Sequence, residues 1–464
     1  MKHLLTPILL ALGAFTGIRA DAAQPAPKLN VLFIVADDLR TSLGCYGDPQ
    51  VKSPNIDRLA AKGVRFDRAY CQYPVCNASR TSFLTGRRPD TTRVYANDVP
   101  FRNLHPDAVT LPQLFKDHGY FSASLGKIIH AGVDPAGNRV LHQDAKSFDD
   151  CRSGTATALG KTGEGRNLTG GQLKWCSWLA AEGSDEDQPD GQSAAEAVKL
   201  LEAHREKPFF LAVGFHKPHD PFNAPKKFFD PYPLDQIQLA QEPHDRSAEL
   251  PMALPNAQGF SSFTDQERKE FRRAYFAGIS FTDAQVGKLL DTLDRLKLWD
   301  NTVVILMGDH GYHLGEHGWW NKVTVFELCA RTPLIVWAPG LNGMGRPANG
   351  LVEFVDIFST VAELCGLTPP ANQDGTSFRA LLADPSRPGK PAAYTQVRRG
   401  EKMGRSIRTD HWRYTEWDDG RDGIELYDHT ADALEYYNLA SQPQHAATLQ
   451  ALAAQLRSHP RPAQ

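Results

Sequence analysis

The sequence predicts an α/β fold. A large, mainly parallel sheet flanked by helices precedes a smaller C-terminal subdomain that contains an antiparallel sheet and a helix. Apolar, β-branched runs are typical of strands buried on both faces of a parallel sheet. Four such runs occur, at 30–36, 121–126, 208–215 and 302–308. Helical periodicity separates them, at 53–63, 111–118, 191–204 and 276–296. This alternation predicts helices on both faces of the sheet.

Start and stop signals support these elements. Ser53 and Pro54 are typical of a helix start, and Gly63 of a helix end. After about residue 370 the pattern changes to short aromatic antiparallel strands and a final amphipathic helix. These segments are 412–417, 425–428 and 445–459.

The chain therefore divides into three parts. They are a signal peptide at 1–23, a large α/β domain at 24–370 and a smaller C-terminal subdomain at 371–464. The segment 230–263 is rich in proline and polar residues, and we expect it to be an excursion near the mouth of the site.

The first residues have the order of a secretory signal peptide. Lys2 and His3 precede a short apolar run, and small residues follow at Ala20, Ala22 and Ala23. The run is shorter than a typical membrane span, and no second run approaches that length. We expect a mature protein without a membrane span, secreted or periplasmic. A buried N-terminal helix is the alternative interpretation.

Charge and cysteine content limit the partners. The formal net charge of −3 gives no overall attraction to nucleic acid or to an anionic membrane. A polyanionic substrate therefore requires a local basic pocket. The seven cysteines are an odd number, so at least one is unpaired. Cys151 and Cys176 could close a local loop, and buried free thiols are an equally good interpretation for most of the others.

Each of the four predicted strands is followed by polar residues that are able to do chemistry. These are Asp37-Asp38, Lys127 with His130, His216-Lys217 and Asp309-His310. In open sheets of this type, ligands bind beyond the carboxyl ends of the strands. We therefore expect four distant segments to converge on one site.

The acidic residues at two strand ends indicate a metal site. Adjacent carboxylates are costly unless a cation or hydrogen-bond donors neutralise them. Asp37, Asp38 and Asp309 could supply most of the oxygen ligands that Ca²⁺ takes. In the alternative interpretation, each acid caps the helix or loop that follows it.

The stretch 74–89 carries the most specific motif of the chain. Its key residues are Cys76, Ala78, Arg80 and Thr85-Gly86. In this the chain resembles the type I sulfatases of the alkaline-phosphatase-like superfamily. Their signature is Cys or Ser, any residue, Pro or Ala, any residue and Arg, soon followed by Thr-Gly. Ala78 stands where proline is more usual.

The resemblance covers nearly the whole mature chain and is greatest to the iduronate 2-sulfatase branch. The supporting segments keep the order of the family. They are 85–93, 126–130, 215–219, 309–311 and 315–318 with Lys322.

The resemblance implies that Cys76 is oxidised to formylglycine and hydrated to a geminal diol. One diol oxygen attacks sulfur and displaces the sugar alcohol. The second hydroxyl then loses its proton, so that the hemiacetal collapses to the aldehyde and expels sulfate. A formylglycine-generating or other maturation enzyme is the implied partner. A helix predicted to begin near Ser79 would favour an anion at this position.

The resemblance also implies catalytic roles for five charged residues. Arg80 and Lys127 match positions that neutralise the diol and sulfate oxygens. His130 is placed to assist proton removal during collapse. His216 and Lys322 match positions that contact sulfate and protonate the departing oxygen.

The implied metal is one Ca²⁺, held by Asp37, Asp38, Asp309 and residue 76. His310 stands where many sulfatases have asparagine, and we count it as a metal-side residue that faces the nucleophile.

Three functions follow from these observations. The leading one is hydrolysis of a sulfate ester on a carbohydrate, with a 2-O-sulfated uronic acid of a glycosaminoglycan as the candidate substrate. The second is a phosphoesterase or phosphonate monoester hydrolase of the same superfamily. The third is a non-catalytic protein that binds sulfated glycans, if Cys76 is not converted.

Overall fold

The structure is a computed structural model. It describes residues 28–133, 139–140, 143–243, 245, 249–255, 260 and 262–459. The predicted signal peptide at 1–23 lies outside the described residues, as do parts of the segment 230–263. Within the described ranges, no helix is both long enough and apolar enough to cross a membrane.

The strands of the described chain have two to seven residues, with the longest at the centre of the main sheet and in the C-terminal sheet. In order they are β1 (Asn30–Ala36), β2 (Val64–Phe66), β3 (Ala69–Tyr70), β4 (Phe121–Gly126), β5 (Gly132–Val133), β6 (Arg139–Val140), β7 (Asp150–Arg152), β8 (Gly163–Asn167), β9 (Ser177–Ala181), β10 (Phe209–Phe215), β11 (Phe222–Pro225), β12 (Thr302–Gly308), β13 (Leu334–Trp337), β14 (Pro347–Ala348), β15 (Val352–Glu353), β16 (Ala393–Arg399), β17 (Lys402–Arg408), β18 (Trp412–Trp417) and β19 (Ile424–Asp428).

The α-helices flank the main sheet or close the C-terminal part. In order they are α1 (Pro54–Lys62), α2 (Cys76–Thr85), α3 (Pro89–Thr92), α4 (Phe101–Leu104), α5 (Leu111–Asp117), α6 (Pro189–His204), α7 (Asp265–Leu296), α8 (Glu327–Ala330), α9 (Asp356–Leu364), α10 (Arg379–Ala383) and α11 (Ala446–Ser458).

The main sheet has eight strands in the order β14-β2-β13-β12-β1-β10-β4-β7. The five strands from β12 to β7 run parallel, whereas β13 is antiparallel to both of its neighbours. The four strands predicted from the sequence therefore lie side by side, and the mainly parallel sheet is confirmed. Ala36 pairs with Phe215 on one side and with Gly308 on the other. Three strands thus end at one level.

The two faces of β1 contribute to separate apolar cores. Leu32 and Ile34 belong to the core that includes α1, α6 and α7. Val31, Phe33 and Val35 belong to the core that includes α2, α5 and α9. Burial of both faces explains why the run shows continuous rather than alternating hydrophobicity.

The longest helix, α7, begins at Asp265 rather than at residue 276 as the periodicity predicted. Its first turns bury Glu270 and Arg272 along with apolar residues. Because charged residues also lie on the buried face, the apolar residues of these turns do not show regular helical spacing in the sequence. The missed start signal is the capping box formed by Thr264 and Glu267.

The C-terminal part contains the antiparallel sheet β16-β17-β18-β19 with α11 packed on it. This confirms the predicted antiparallel sheet and helix. Val397 of β16 and Trp417 of β18 also join an apolar cluster with Tyr73, Val75 and Ala78, which lie around the start of α2. The C-terminal sheet therefore packs directly against the motif. The domain boundary at residue 370 stays a prediction.

All seven cysteines lie within the described ranges, and each is a free thiol. The loop closure considered for Cys151 and Cys176 is not formed. The structure thus supports the free-thiol interpretation.

Candidate active site

Cys76 is the first residue of α2 and is fully buried. The residue before it, Val75, is extended, and the helix begins at Cys76 itself rather than near Ser79 as predicted. The first N–H groups of a helix have no partner within the helix, and they favour negative charge nearby. Residue 76 therefore lies where an anion is stabilised.

The sulfur of Cys76 faces three polar side chains. Lys322 Nζ lies 3.1 Å from it, His310 Nε2 3.4 Å and Asp38 Oδ1 3.9 Å. Burial raises the pKa of the Cys76 thiol, and the nearby lysines offset this only in part. As an unmodified thiol, residue 76 stays protonated at neutral pH and is a weak nucleophile.

The sheet register brings the acids together. Asp37 and Asp38 follow β1 directly, and Asp309 follows β12, whose last residue pairs with Ala36. The backbone N–H of Asp38 donates to Asp309 Oδ1 at 2.9 Å. Asp38 has a φ of 62°, in the left-handed region that few residues other than glycine adopt. This conformation turns the chain sharply at the strand end.

Arg80 and Lys127 neutralise one side of this acidic group. Arg80 donates to Asp37 at 3.1 Å and to Asp309 at 2.9 Å, and Lys127 donates to Asp37. Burial alone would raise the pKa of Asp37, but Lys127, His219 and Arg80 together hold it well below its ordinary value. The carboxylate is therefore ionised in the folded protein.

Lys322 neutralises the other side. Its ammonium lies 2.6 Å from Asp38 Oδ1 and 3.1 Å from the Cys76 sulfur. Burial tends to lower the pKa of this lysine, but Asp38 and Cys76 raise it well above its ordinary value. Lys322 thus places a fixed positive charge against residue 76.

The residues fit a hard divalent cation. Ligand atoms of Asp37, Cys76, Asp309 and His310 all lie within 4.8 Å of one another. The buried Oδ2 atom of Asp38 has no hydrogen-bond partner. A buried oxygen of this kind is costly without a donor or cation, and carboxylate oxygens are the ligands that Ca²⁺ prefers.

The tautomer and orientation of His310 depend on its other ring nitrogen. Nδ1 lies 2.9 Å from the carbonyl oxygen of Gly311, which fixes it as the donor. Nε2 then faces the Cys76 sulfur as an acceptor while the ring is neutral. His310 therefore lies on the side of the acids that faces residue 76.

The loop after β10 carries two histidines, which have different partners. His216 contacts Asp190 through its backbone N–H at 2.8 Å and its ring at 3.2 Å. His219 lies beside the acids, with Nε2 3.9 Å from Asp38 and 4.0 Å from Asp37. The role predicted for His216 stays a prediction, and His219 is a site residue that sequence reasoning missed. The sequence feature that could have indicated His219 is the motif His-Lys-Pro-His at 216–219. Only its first histidine directly follows the strand, and His219 is the second.

His130 lies next to Lys127 at the same edge of the sheet. Its Nδ1 is 2.7 Å from the carbonyl oxygen of Ala131. Burial and the charge of Lys127 lower the pKa of His130 to about 3. The ring is therefore neutral at physiological pH and able to accept a proton, and a pKa this low makes it a weak base.

Comparison with solved structures identifies the fold class. The chain matches the phosphonate monoester hydrolase of Agrobacterium radiobacter with a TM-score of 0.78 and 23% sequence identity, covering 93% of this chain and 95% of that one. The protein therefore has the alkaline-phosphatase-like α/β fold.

Sequence comparison then identifies the family. The Sulfatase family model matches residues 29–367, and the model for the C-terminal region of N-sulphoglucosamine sulphohydrolase matches residues 315–461. Iduronate 2-sulfatase of Mus musculus is 34% identical, over 96% of this chain and 97% of that protein. The Homo sapiens protein of the same name is 35% identical, over 89% and 88%. The chain belongs to the sulfatase family, as a type I sulfatase of the iduronate 2-sulfatase-like branch.

Proposed function

We propose that this sulfatase removes sulfate from a sulfated carbohydrate through a formylglycine formed from Cys76, with Ca²⁺ bound beside it. The observation that carries the proposal is the environment of residue 76. Its side chain lies at a helix start, within 3.4 Å of both Lys322 and His310, inside a Cys-x-Ala-x-Arg motif. An oxygen in place of the sulfur would meet a fixed cation and a proton acceptor there.

The proposed Ca²⁺ ligands are Asp37, Asp38, Asp309 and the oxygen of modified residue 76, with His310 beside them. When bound, the ion would lower the pKa of an oxygen at residue 76 and polarise the sulfate.

The cations of the chain stabilise charge in the transition state. Arg80 is locked by Asp37 and Asp309, and Lys127 by Asp37, so neither has to reorganise as charge develops on the sulfate oxygens. His130, neutral beside Lys127, accepts the proton released when the sulfated intermediate collapses.

The departing alcohol needs a proton because an alkoxide is a poor leaving group. Lys322, His216 and His219 are the proposed residues on this side of the site. Lys322 and His219 both lie beside Asp38, and His216 lies on the same loop as His219. General acid catalysis of this kind contributes on the order of 100- to 10,000-fold to the rate.

Similarity to iduronate 2-sulfatase supports the substrate class. It extends over 96% of this chain and includes both the motif and the C-terminal part. We propose a 2-O-sulfated uronic acid in a glycosaminoglycan fragment as the substrate. We also propose export to the periplasm or the medium through the signal peptide at 1–23, and maturation of Cys76 by a formylglycine-generating enzyme or its equivalent.

Intact-protein mass spectrometry and turnover assays together test the proposal. Conversion of Cys76 exchanges H₂S for oxygen and lowers the mass detectably. Cys76→Ala should then lose turnover by at least about 10⁴-fold. Cys365→Ala is the matched control, because it removes a partly exposed thiol outside the site and should keep full activity.

Three outcomes would contradict the proposal. A phosphate or phosphonate ester turned over orders of magnitude faster than the sulfate ester would indicate a phosphoesterase. Unmodified protein that binds sulfated glycans without turnover would indicate a binding protein. Full activity of Cys76→Ala would exclude residue 76 as the nucleophile.

A further inference from the structure

Val323, the residue directly after Lys322, has a strained backbone. Its φ is 70°, in the left-handed region. For a β-branched residue this conformation is a genuine outlier, because the side chain clashes with its own backbone. Such strain persists only where the surroundings enforce it, and it concentrates at functional sites. The neighbours of Val323 must therefore hold it in place.

Two hydrogen bonds hold the peptide groups of Val323. Its N–H donates to the carbonyl oxygen of Pro74, at 3.2 Å. Its carbonyl oxygen accepts from Arg399 Nη2, at 2.6 Å. Pro74 lies two residues before Cys76, and Arg399 is the last residue of β16 in the C-terminal sheet. One strained residue thus joins the nucleophile segment to the C-terminal subdomain.

Arg399 has an unusual set of partners. Its guanidinium donates to three carbonyl oxygens, those of Arg398, Ala253 and Val323, and lies 5.2 Å from the ring centre of Trp417. Among the described residues, no carboxylate forms an ion pair with it. Because Arg399 is largely buried without such a partner, its pKa falls to about 10. A cation kept in so costly a position indicates that these carbonyl contacts matter.

We propose that Arg399 is a positioning residue for the sulfatase reaction, because it holds Val323 in the left-handed conformation and so fixes the Lys322 ammonium against residue 76. Without this contact, Val323 relaxes toward ordinary backbone angles and rotates the peptide that follows Lys322. The ammonium then leaves its position 3.1 Å from Cys76 and 2.6 Å from Asp38. This inference rests on the proposed function, in which Lys322 acts on the sulfate ester.

The first test is Arg399→Met, which keeps an apolar stem over Trp417 and removes the donors. We expect kcat/KM for a sulfate ester to fall by about 100-fold, which is the cost of misplacing a catalytic group by roughly 1 Å. Arg398→Met is the matched control. The Arg398 guanidinium pairs with the exposed Glu401, so this variant should retain its activity.

The decisive test places Arg399→Met in a Val323→Gly background. Glycine adopts positive φ without strain. The position of Lys322 should then no longer depend on the hydrogen bond from Arg399 to residue 323. Val323→Gly alone should stay within about tenfold of the natural enzyme, and adding Arg399→Met to it should cost less than about tenfold more. If Arg399 had a purely structural role, the fold-loss of kcat/KM in the double variant would instead be the product of the losses in the two single variants.

A second readout does not require turnover. The affinity for inorganic sulfate, measured by calorimetry, should fall in Arg399→Met and recover in the double variant. Multiplied losses of turnover, or unchanged sulfate affinity in Arg399→Met, would overturn the inference. Failure of the natural enzyme to cleave any sulfate ester would refute the proposed function instead, so the two failures are distinguishable.

Discussion

The proposed active site has two sides that are built in different ways: a metal side, which holds the proposed Ca²⁺ ligands, and a leaving-group side, which holds the proposed proton donors. On the metal side, Asp37, Asp38 and Asp309 follow strands whose register fixes their positions, and Arg80 extends from a regular helix. On the leaving-group side, His219 and Lys322 lie on irregular loops. The first side is positioned by the sheet itself. The second depends on single contacts from distant parts of the chain.

In each of those single contacts, a charged side chain forms a hydrogen bond with a backbone group of the loop. Asp190, at the start of α6, accepts hydrogen bonds from the backbone of His216 and Lys217, both at 2.8 Å. Arg399, in the C-terminal sheet, donates to the carbonyl beyond Lys322. In each case one polar side chain, fully buried for Asp190 and partly buried for Arg399, fixes a loop through its backbone. The comparison predicts that damage to the metal side removes the ion, whereas damage to the loop contacts leaves the ion bound and misplaces the proton donors.

The largest effect is expected from Asp309→Asn. This change removes a candidate ligand and leaves the buried Arg80 with one carboxylate fewer. Calcium affinity should weaken by at least about 100-fold and turnover should fall by about 1,000-fold. Isothermal calorimetry with Ca²⁺ and steady-state kinetics measure the two quantities.

The control for this variant is Asp291→Asn, which removes an exposed carboxylate that pairs with Arg58 at the surface. It should change neither quantity. Undiminished calcium binding in Asp309→Asn would show that the metal side is not built as described.

A smaller effect is expected from Asp190→Asn, which weakens the hold on the loop of His216 and His219. We expect kcat to fall by up to about 100-fold while calcium affinity stays within the error of the natural protein. The loss should be greater for alkyl than for aryl sulfates, because an aryl oxide leaves more easily without a proton. Glu196→Gln, a surface change on the same helix, is the control. Equal losses with both leaving groups would contradict the assignment of this loop.

The last effect concerns stability rather than turnover and involves Glu425 in the C-terminal sheet. Burial raises its pKa from 4.5 to about 7, although Trp417 and Tyr427 donate hydrogen bonds to it at 2.8 and 2.7 Å. The carboxyls of Glu435 and Glu249 raise it further. A raised pKa means that the folded state binds the proton more tightly, so this stabilisation is complete below pH 4.5 and is lost as pH rises through about 7.

Glu425→Gln should remove that dependence. We expect the variant to be more stable than the natural protein by about 3 kcal/mol at pH 8, and equally stable near pH 4. Urea unfolding at the two pH values measures this, with Glu401→Gln at an exposed position as the control. A stability difference that does not change with pH would show that the carboxyl is not proton-linked to folding.

The contrast between the two sides also explains what the sequence could predict. Strand ends, the acids and the motif follow from continuous apolar runs and from parallel register, so Asp37, Asp309 and Arg80 meet as expected. The position of His219 depends on how the chain turns after β10, which no periodicity encodes. Asp190 acts across 26 residues and Arg399 across 76. In the sequence both lie in charged segments, and nothing there distinguishes them from ordinary surface charges.

The burial of Cys76 limits when its proposed conversion to formylglycine can take place. No part of residue 76 is accessible once α2 has packed, and Ala78 is equally enclosed by the C-terminal sheet. A catalyst that oxidises this thiol must therefore reach it before the surrounding segments close. In the proposed maturation, folding therefore competes with oxidation of Cys76, and a chain that folds first is expected to keep its thiol. If Cys76 is converted as proposed, we expect that adding a maturation enzyme to the folded protein raises the active fraction far less than adding it during synthesis.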